Sequence, residues 1–401
     1  MLSKINPSTL SGALDIIVIE HDDGTLLSSP WHLRVGNMNL LHHKNKIVSI
    51  NINNQQLPFF MAVDKDGCGK FIAAQCGKDF STSISYPITC DFKDKIKIRP
   101  KDVRAMLSNK KGKKKQGKFL DNDLDEKMVL RDDTVDLESA FLYEDPDPLP
   151  ISTVQTVLDL SQSINSQGFF EESLMDNTPS SELMSSFRNI LKIGKNSVEY
   201  TVSSLIQGPR TIHCSLFLFN EKQKFIVSDI DGTITSSDFL GHVLPAVGKD
   251  WTHPGLANLY SRIAEEKGMV FIYLSSRPIG EVHLTRKMLN KIKQNGIKMP
   301  DGPIITCPDK LFLALSREVK HKPHEFKIPT IQNIQSLFTD GISPIVFGFG
   351  NRPTDVLTYK KIGLNDNQIL LFNTKHNVLD ANNKVIYNSI TDLIEHVSDL
   401  F

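Results

Sequence analysis

Between residues 225 and 372 short apolar runs alternate with longer amphipathic stretches, and this alternation limits the chain to one class of fold. Phe225 to Ser228, Met269 to Leu274, Ile345 to Phe347 and Ile369 to Phe372 read as buried strands; stretches near 256–267, 282–294 and 355–361 read as helices. Parallel strands need long crossovers, which helices supply, so this half is expected to form a parallel α/β sheet.

The first ninety residues carry a different rhythm. Trp31, Leu33 and Val35 alternate with His32 and Arg34, and Val48, Ile50 and Ile52 alternate with Ser49 and Asn51, the period of half-buried strands. His21-Asp22-Asp23-Gly24 supplies a tight turn, because Asp-Gly tolerates positive φ. Alternation returns at Val198, Tyr200 and Val202 and at Ile212, Cys214, Leu216 and Leu218. Two strands cannot stand alone as a sheet, so the N-terminal strands are their expected partner.

Between these β segments the composition changes. Six of the ten residues from Asn109 to Lys118 are Lys (Lys110, Lys111, Lys113, Lys114, Lys115, Lys118), and a run rich in Asp and Glu follows to Glu138. Like-charged blocks repel and bury little apolar area, so about 95 to 180 reads as a flexible linker. A weak helix is expected after Ser180-Ser181, where Leu183, Phe187 and Leu191 share one face.

Over all 401 residues the 46 basic and 46 acidic side chains cancel, which removes any global argument for nucleic acid; no direct nucleic-acid binding is expected. Five cysteines lie scattered without a CxxC pair, arguing against a disulfide framework or zinc site and for a reducing compartment. No apolar run approaches the roughly 20 residues that span a bilayer, and the first twenty residues do not read as a signal peptide.

The chemistry concentrates at the ends of the predicted strands. Phe225-Ile-Val-Ser runs into Asp229-Ile-Asp231-Gly232-Thr233, and carboxylates at i and i+2 project from one side of a strand's carboxyl end, where open α/β sheets bind ligands. Such a pair suits Mg2+, a hard cation that takes a few oxygen ligands together with substrate phosphate. Gly232 lets the backbone turn sharply toward an anion. The second strand delivers Ser275-Ser276-Arg277, with a hydroxyl suited to a phosphate oxygen, Lys322 offers a point charge, and the third strand ends in a polar turn with Asn351 and Asp355. Singly, each has an ordinary structural explanation: a turn, a helix cap, a surface lysine or a helix start. Intervals of 46 residues from Asp229 to Ser275 and 47 from Ser275 to Lys322 leave no room for a folded cap domain. An open site of that kind favours a phosphate presented on a large surface.

In this order the four pieces resemble the four motifs of the haloacid dehalogenase superfamily of phosphotransferases. Ser228 to Asp238, Leu240 to Pro245, Gly248 to His253, Tyr273 to Gly280, Arg317 to Val319, Lys322-Pro323 with Glu325-Phe-Lys327, and Phe349 to Val356 look like the catalytic region of the lipins, magnesium-dependent phosphatidate phosphatases. Ile5 to Asp15 through Ser29 to Gly36 look like the N-terminal lipin region. The resemblance covers roughly 5–60 and 195–400.

It implies a Rossmann-like catalytic domain (223–401), an N-terminal lipin region (1–94), a charged linker (95–185) and strands at 186–222 that complete an immunoglobulin-like β-sandwich. It also implies Asp229 as nucleophile, Asp231 as general acid/base, Gly232, Thr233, Ser275, Ser276 and Lys322 as phosphate binders, and Asp229, Asp231, Asn351 and Asp355 as the Mg2+ side of the site. The implied substrate is phosphatidic acid in membranes, hydrolysed to diacylglycerol. The implied location is cytoplasmic and peripheral on the endoplasmic reticulum or nuclear membrane, or nuclear. A capless phosphoprotein phosphatase and a non-catalytic lipid-binding or co-regulatory protein are the alternatives. Lipin chains carry an amphipathic helix ahead of Ile5, where this chain has four residues; the Lys110–Lys118 cluster reads as a docking patch for anionic lipid, as a nuclear-import address or as a solvated linker charge run. Leu240 to Leu244 has Val where the lipin co-regulator motif has Ile, and reads as a packed apolar segment.

Overall fold

The sequence IIVIE at 16–20 buries four consecutive side chains, so this strand is covered on both faces. Side chains alternate across a strand, and here the two faces belong to two different cores. Ile16 and Val18 pack with Trp31, Tyr200 and Leu216, whereas Ile17 and Ile19 pack with Phe217, Phe219 and Phe225. One strand thus joins an N-terminal sheet to the α/β half.

The computed structural model describes residues 11–36, 46–64, 66–74, 86–87, 176–202, 210–236, 251–308, 323–341 and 343–400. The Lys110–Lys118 cluster, Leu240 to Leu244 and Lys322 lie outside them. The N-terminal strands are β1 (Gly12–Ala13), β2 (Ile16–Glu20), β3 (Leu26–Ser28), β4 (Leu33–Arg34), β5 (Lys46–Ile52), β6 (Gln55–Val63) and β7 (Gly69–Phe71). Helix α1 (Ser181–Ser186), β8 (Gly194–Val202) and β9 (Arg210–Asn220) follow.

Among the described residues these strands form a seven-stranded sheet of order β3-β2-β9-β8-β5-β6-β7, with β1 and β4 paired beside it in the same core. The two strands that need partners find them where expected, in the N-terminal region: β8 pairs antiparallel with β5, Val198 opposite Ile52, and β9 pairs parallel with β2, Leu216 opposite Ile16. The Asp-Gly turn forms as the sequence suggests, Gly24 taking φ +84 while the His21 amide bonds the Thr25 carbonyl at 2.9 Å.

Trp31 is fully buried, donates to Ser28 Oγ at 2.9 Å, and meets Phe71, Phe187 and Tyr200 edge-on. Burying a side chain of this size contributes roughly 2 kcal/mol or more. Ser180 caps α1, and Met184 and Phe187 enter this core. Folded chain is therefore present from residue 176, inside the span read as linker.

The α/β half comprises β10 (Phe225–Asp229), α2 (Leu256–Lys267), β11 (Val270–Pro278), α3 (Val282–Lys291), β12 (Ile304–Cys307), α4 (His324–Gln335), β13 (Ile345–Gly350), α5 (Pro353–Lys361), β14 (Ile369–Phe372), β15 (Val378–Leu379), β16 (Val385–Tyr387) and α6 (Ile390–Glu395). Its sheet has the order β12-β11-β10-β13-β14-β15-β16. The first five of these run parallel and β15 and β16 turn antiparallel at one edge. From β10 the chain winds outward to β11 and β12, then returns to β13 on the other side. The carboxyl ends of β10 and β13 flank this reversal, the crevice where such sheets bind ligands.

Candidate active site

Strand β10 is buried along its whole length and ends at Asp229. Beyond it the chain folds into a tight turn in which the Ile234 amide bonds the Ile230 carbonyl at 2.9 Å and Gly232 takes φ +87. The turn sends the two carboxylates in different directions.

Asp229 is the buried one. Its Oδ1 accepts from Lys327 Nζ at 2.5 Å, and the same ammonium donates to Asp355 Oδ1 at 2.8 Å; the three side chains are 8%, 4% and 2% exposed. Burial, with Asp355 and Asp231 nearby, holds the Asp229 carboxyl above the ordinary carboxylate range although Lys327 opposes the shift. Burial alone would depress the lysine, yet Asp229 and Asp355 raise it, so it stays a cation. Asp355 sits in the first turn of α5, where its Oδ2 accepts from the amides of Asn351 and Arg352, both at 3.1 Å. It thereby ties the β13–α5 turn to the lysine. Gly350 makes room for it: a Cβ there would stand 2.5 Å from the Asp355 Cβ.

Asp231 is the more open one. Arg277 grips it with two bonds, Nη2 to Oδ1 at 2.6 Å and Nε to Oδ2 at 3.2 Å, and Ser275 Oγ donates to Oδ2 at 3.0 Å. Asp231 and Arg277 side chains are 15% and 20% exposed. Such a two-point clamp fixes a carboxylate's orientation as well as its position. Residues 275–277 reach it because β11 leaves its ladder there: Leu274 pairs with Ile305, but Pro278 already pairs with Cys307, so two extra residues bulge toward the site.

Thr233 lies between Asp229 and Asn351, its hydroxyl 3.1 Å from Asp229 Oδ2 and 3.3 Å from Asn351 Oδ1. The Gly232 amide bonds Thr235 Oγ1 at 2.8 Å, and its carbonyl meets His253 Nε2 at 3.3 Å. A carbonyl only accepts, so Nε2 carries the proton and His253 Nδ1 accepts from His376 Nδ1 at 2.9 Å. Burial pushes the His253 imidazole down to about 4, so this ring is neutral.

The structure brings Asp229, Asp231, Gly232, Thr233, Ser275, Asn351 and Asp355 together, with Ser276 half-buried beside Ser275. The lysine it delivers is Lys327. Three residues escaped sequence reasoning: Lys327, Arg277 and His253. The signal for Lys327 was its place at i, i+4, i+7 with Ile331 and Ile334, the buried face of α4, where a solvated lysine does not belong.

As a metal site the donor set is mixed. Among the described residues no group of three or more His, Cys, Asp or Glu is arranged to hold an ion. Both oxygens of Asp355 and both of Asp231 are engaged by protein donors. Asp229 Oδ2 and Asn351 Oδ1 converge on one hydroxyl, however, and three carboxylates face two cations, so the chemistry fits a hard divalent ion using few protein ligands.

Comparison with known proteins agrees with this architecture. Residues 176–401, more than half of the chain, match the LNS2 (Lipin/Ned1/Smp2) family, and residues 1–86 match the lipin N-terminal conserved region. The chain is similar to phosphatidate phosphatase PAH1 of Arabidopsis thaliana, 40% identical over 226 residues covering 56% of this chain and 25% of the relative. It is 41% identical to human phosphatidate phosphatase LPIN1 over 212 residues, 53% of this chain and 24% of that one. Nuclear elongation and deformation protein 1 of Schizosaccharomyces pombe is 27% identical over 552 aligned positions, 98% of this chain and 83% of the relative. The chain thus spans about a quarter of the length of the first two relatives. With both family regions matched in order, and the N-terminal strands completed by strands from the C-terminal match, the chain belongs to the lipin family.

Proposed function

We propose that this protein is a magnesium-dependent phosphatidate phosphatase that hydrolyses phosphatidic acid in membranes to diacylglycerol and phosphate through an aspartyl-phosphate. The observation that carries the reading is the division of labour within Asp-x-Asp: one carboxylate desolvated against Lys327, the other more open and clamped by Arg277. The substrate comes from the printed names of the relatives.

In the first step an Asp229 carboxylate oxygen attacks phosphorus in line, an O–P bond forms, and the bond to the glycerol oxygen breaks. Asp231 gives its proton to that departing oxygen. In the second step Asp231 takes a proton from water, the water oxygen attacks phosphorus, and the Asp229–phosphorus bond breaks. Lys327 supplies positive charge beside the nucleophile, where charge gathers on the phosphoryl oxygens, and Lys322, outside the described residues, stays a phosphate binder in this reading. Asp229 and Asn351 are the residues that would hold Mg2+, which when bound neutralises phosphoryl charge; Asp355 would act by holding Lys327 and the Asn351 turn. Ser275 is bonded to Asp231 and Thr233 to Asp229, so both can turn to a phosphate oxygen by exchanging one bond. Gly232 shapes the turn, and Ser276 stands at the rim.

Around this site we read the α/β sheet as the Rossmann-like haloacid dehalogenase domain and the N-terminal sheet as the family's immunoglobulin-like module. No helix among the described residues is long and apolar enough to cross a membrane, in keeping with peripheral association at the endoplasmic reticulum or nuclear membrane. Phosphate release from phosphatidate in detergent micelles, with and without Mg2+, tests the proposal. Release that requires Mg2+ is expected; release from phosphopeptides and not from phosphatidate would favour a phosphoprotein phosphatase.

A further inference from the structure

The clamp on Asp231 does not end at Arg277. The other arm of that guanidinium, Nη1, reaches Thr285 Oγ1 at 3.4 Å and Met288 Sδ at 3.8 Å, both on α3. Thr285 is fully buried and its hydroxyl also bonds the Glu281 carbonyl at 3.2 Å, so the arginine rests on a fixed part of the helix. One residue further along, Arg286 Nη2 is 2.6 Å from Asp15 Oδ1. Asp15 comes from the N-terminal region, between β1 and β2, and its side chain is 1% exposed.

Asp15 is held from three directions. Oδ1 also accepts from the Ser215 amide of β9 at 2.7 Å, and Oδ2 accepts from the Ile304 amide of β12 at 2.9 Å. A buried carboxylate with two amides and a guanidinium is a fixed anchor, because each lost bond would leave a desolvated partner. Strand β1, just before Asp15, pins the start of α3 sterically. A Cβ on Gly12 would stand far inside van der Waals contact with the Ile279 carbonyl oxygen, so only glycine lets β1 lie against the turn that opens the helix. N-terminal residues thus contact the element that carries Thr285 at two points.

We propose that Asp15 is a positioning residue for Asp231, acting through Arg286, helix α3, Thr285 and Arg277. The inference rests on the reading of Asp231 as the proton carrier. It makes the N-terminal region a working part of the catalytic machinery: the anchor sets where α3 lies, α3 sets the arginine, and the arginine aims the carboxyl at the leaving oxygen. Proton transfer tolerates little misplacement, so small displacements at the anchor reach turnover.

The experiment compares leaving groups in the full-length chain. Diacylglyceryl alkoxide needs a proton to depart; p-nitrophenolate does not. Asp231→Asn, Thr285→Val, Arg286→Lys and Asp15→Asn are each checked for native circular dichroism and melting temperature. Release of diacylglycerol from phosphatidate and the pre-steady-state burst of p-nitrophenol from p-nitrophenyl phosphate are then measured. Diacylglycerol release is expected to fall roughly ten- to hundredfold in the three supporting variants with KM little changed, while the p-nitrophenol burst stays within about threefold. Asp231→Asn should show the same selectivity more strongly. If Asp15→Asn, Arg286→Lys and Thr285→Val lower both substrates in parallel, or neither, while Asp231→Asn is selective, the positioning role is wrong. If Asp231→Asn itself lowers both alike, the assignment of the proton carrier is wrong instead. Should Asp15→Asn not fold, Thr285→Val and Arg286→Lys decide the matter.

Discussion

Asp229 and Asp231 stand two residues apart on one strand end, yet different parts of the molecule serve them. Among the described residues, the hydrogen-bond partners of the Asp229 carboxylate come from the α/β half: Lys327 from α4 and Thr233 from the turn, with Asp355 of α5 sharing the lysine. The surroundings of Asp231 lead from Ser275 and Arg277 through α3 to Asp15, in the N-terminal region. The first group is buried with one cation between two carboxylates; the second is a partly exposed two-point ion pair. In the proposed mechanism depth separates the roles. A desolvated carboxylate freed toward phosphorus is a nucleophile, and a more open one held in orientation can pass protons.

The largest expected effect tests the buried half. Asp229→Asn should lower phosphate release by at least about a thousandfold, the scale of losing a nucleophile, with the far-ultraviolet circular dichroism unchanged. Next comes the lysine. Lys327→Met leaves Asp229 and Asp355 buried without their cation, and breaking such a group costs about 3–5 kcal/mol, readable as a lower denaturation midpoint. An unchanged midpoint would contradict the place given to Lys327 between the two buried carboxylates.

Gly350→Ala acts on the same group by shape. Its new methyl would meet the Asp355 Cβ at 2.5 Å, so about 1–3 kcal/mol of stability should go, with activity falling alongside because Asp355 holds Lys327. Arg277→Gln should do the reverse: little stability is lost from a partly exposed pair, while release of diacylglycerol falls at least about tenfold.

The smallest effect is pH-dependent and sits on the Asp231 side, where His253 holds the Gly232 carbonyl. Burial keeps the folded ring neutral down to about 4, whereas the unfolded ring takes a proton near 6.5. The unfolded state binds more protons in that window, so stability falls as pH drops through it. His253→Asn should flatten this part of the stability profile, measured by thermal melts between pH 4 and 6.5. An unchanged slope would mean that other groups set it.

Much of this arrangement was legible before any coordinates. Strands β10, β13 and β14 and helix α2 stand where apolar runs and amphipathic spacing put them, because buried parallel strands read as continuous hydrophobic sequence. Asp229, Asp231, Ser275, Asn351 and Asp355 stand out in the sequence because each follows such a run, and the structure brings them to one place. Lys327 is hard to read from sequence because Pro329 lies inside α4 and breaks the helical pattern. Strand β6 was missed because Gln55, Gln56 and Pro58 obscure its alternation. Its turn is made by Asn53 and Asn54, both at positive φ, a use of asparagine that composition alone does not announce. Arg277 and Asp15 were illegible for a deeper reason. Their partners are 46 and 271 residues away, and only the bulge in β11 and the contact between the two halves bring them together.

The division between the two carboxylates is tested most directly by trapping the covalent step. Asp231→Asn protein mixed with p-nitrophenyl phosphate, quenched in acid and mapped by peptide mass spectrometry, should carry a phosphoryl group on Asp229, accumulating because no carboxylate remains to deprotonate the attacking water. Phosphate found on another residue, or turnover of wild-type protein with no labelled Asp229 at any quench time, would contradict the account.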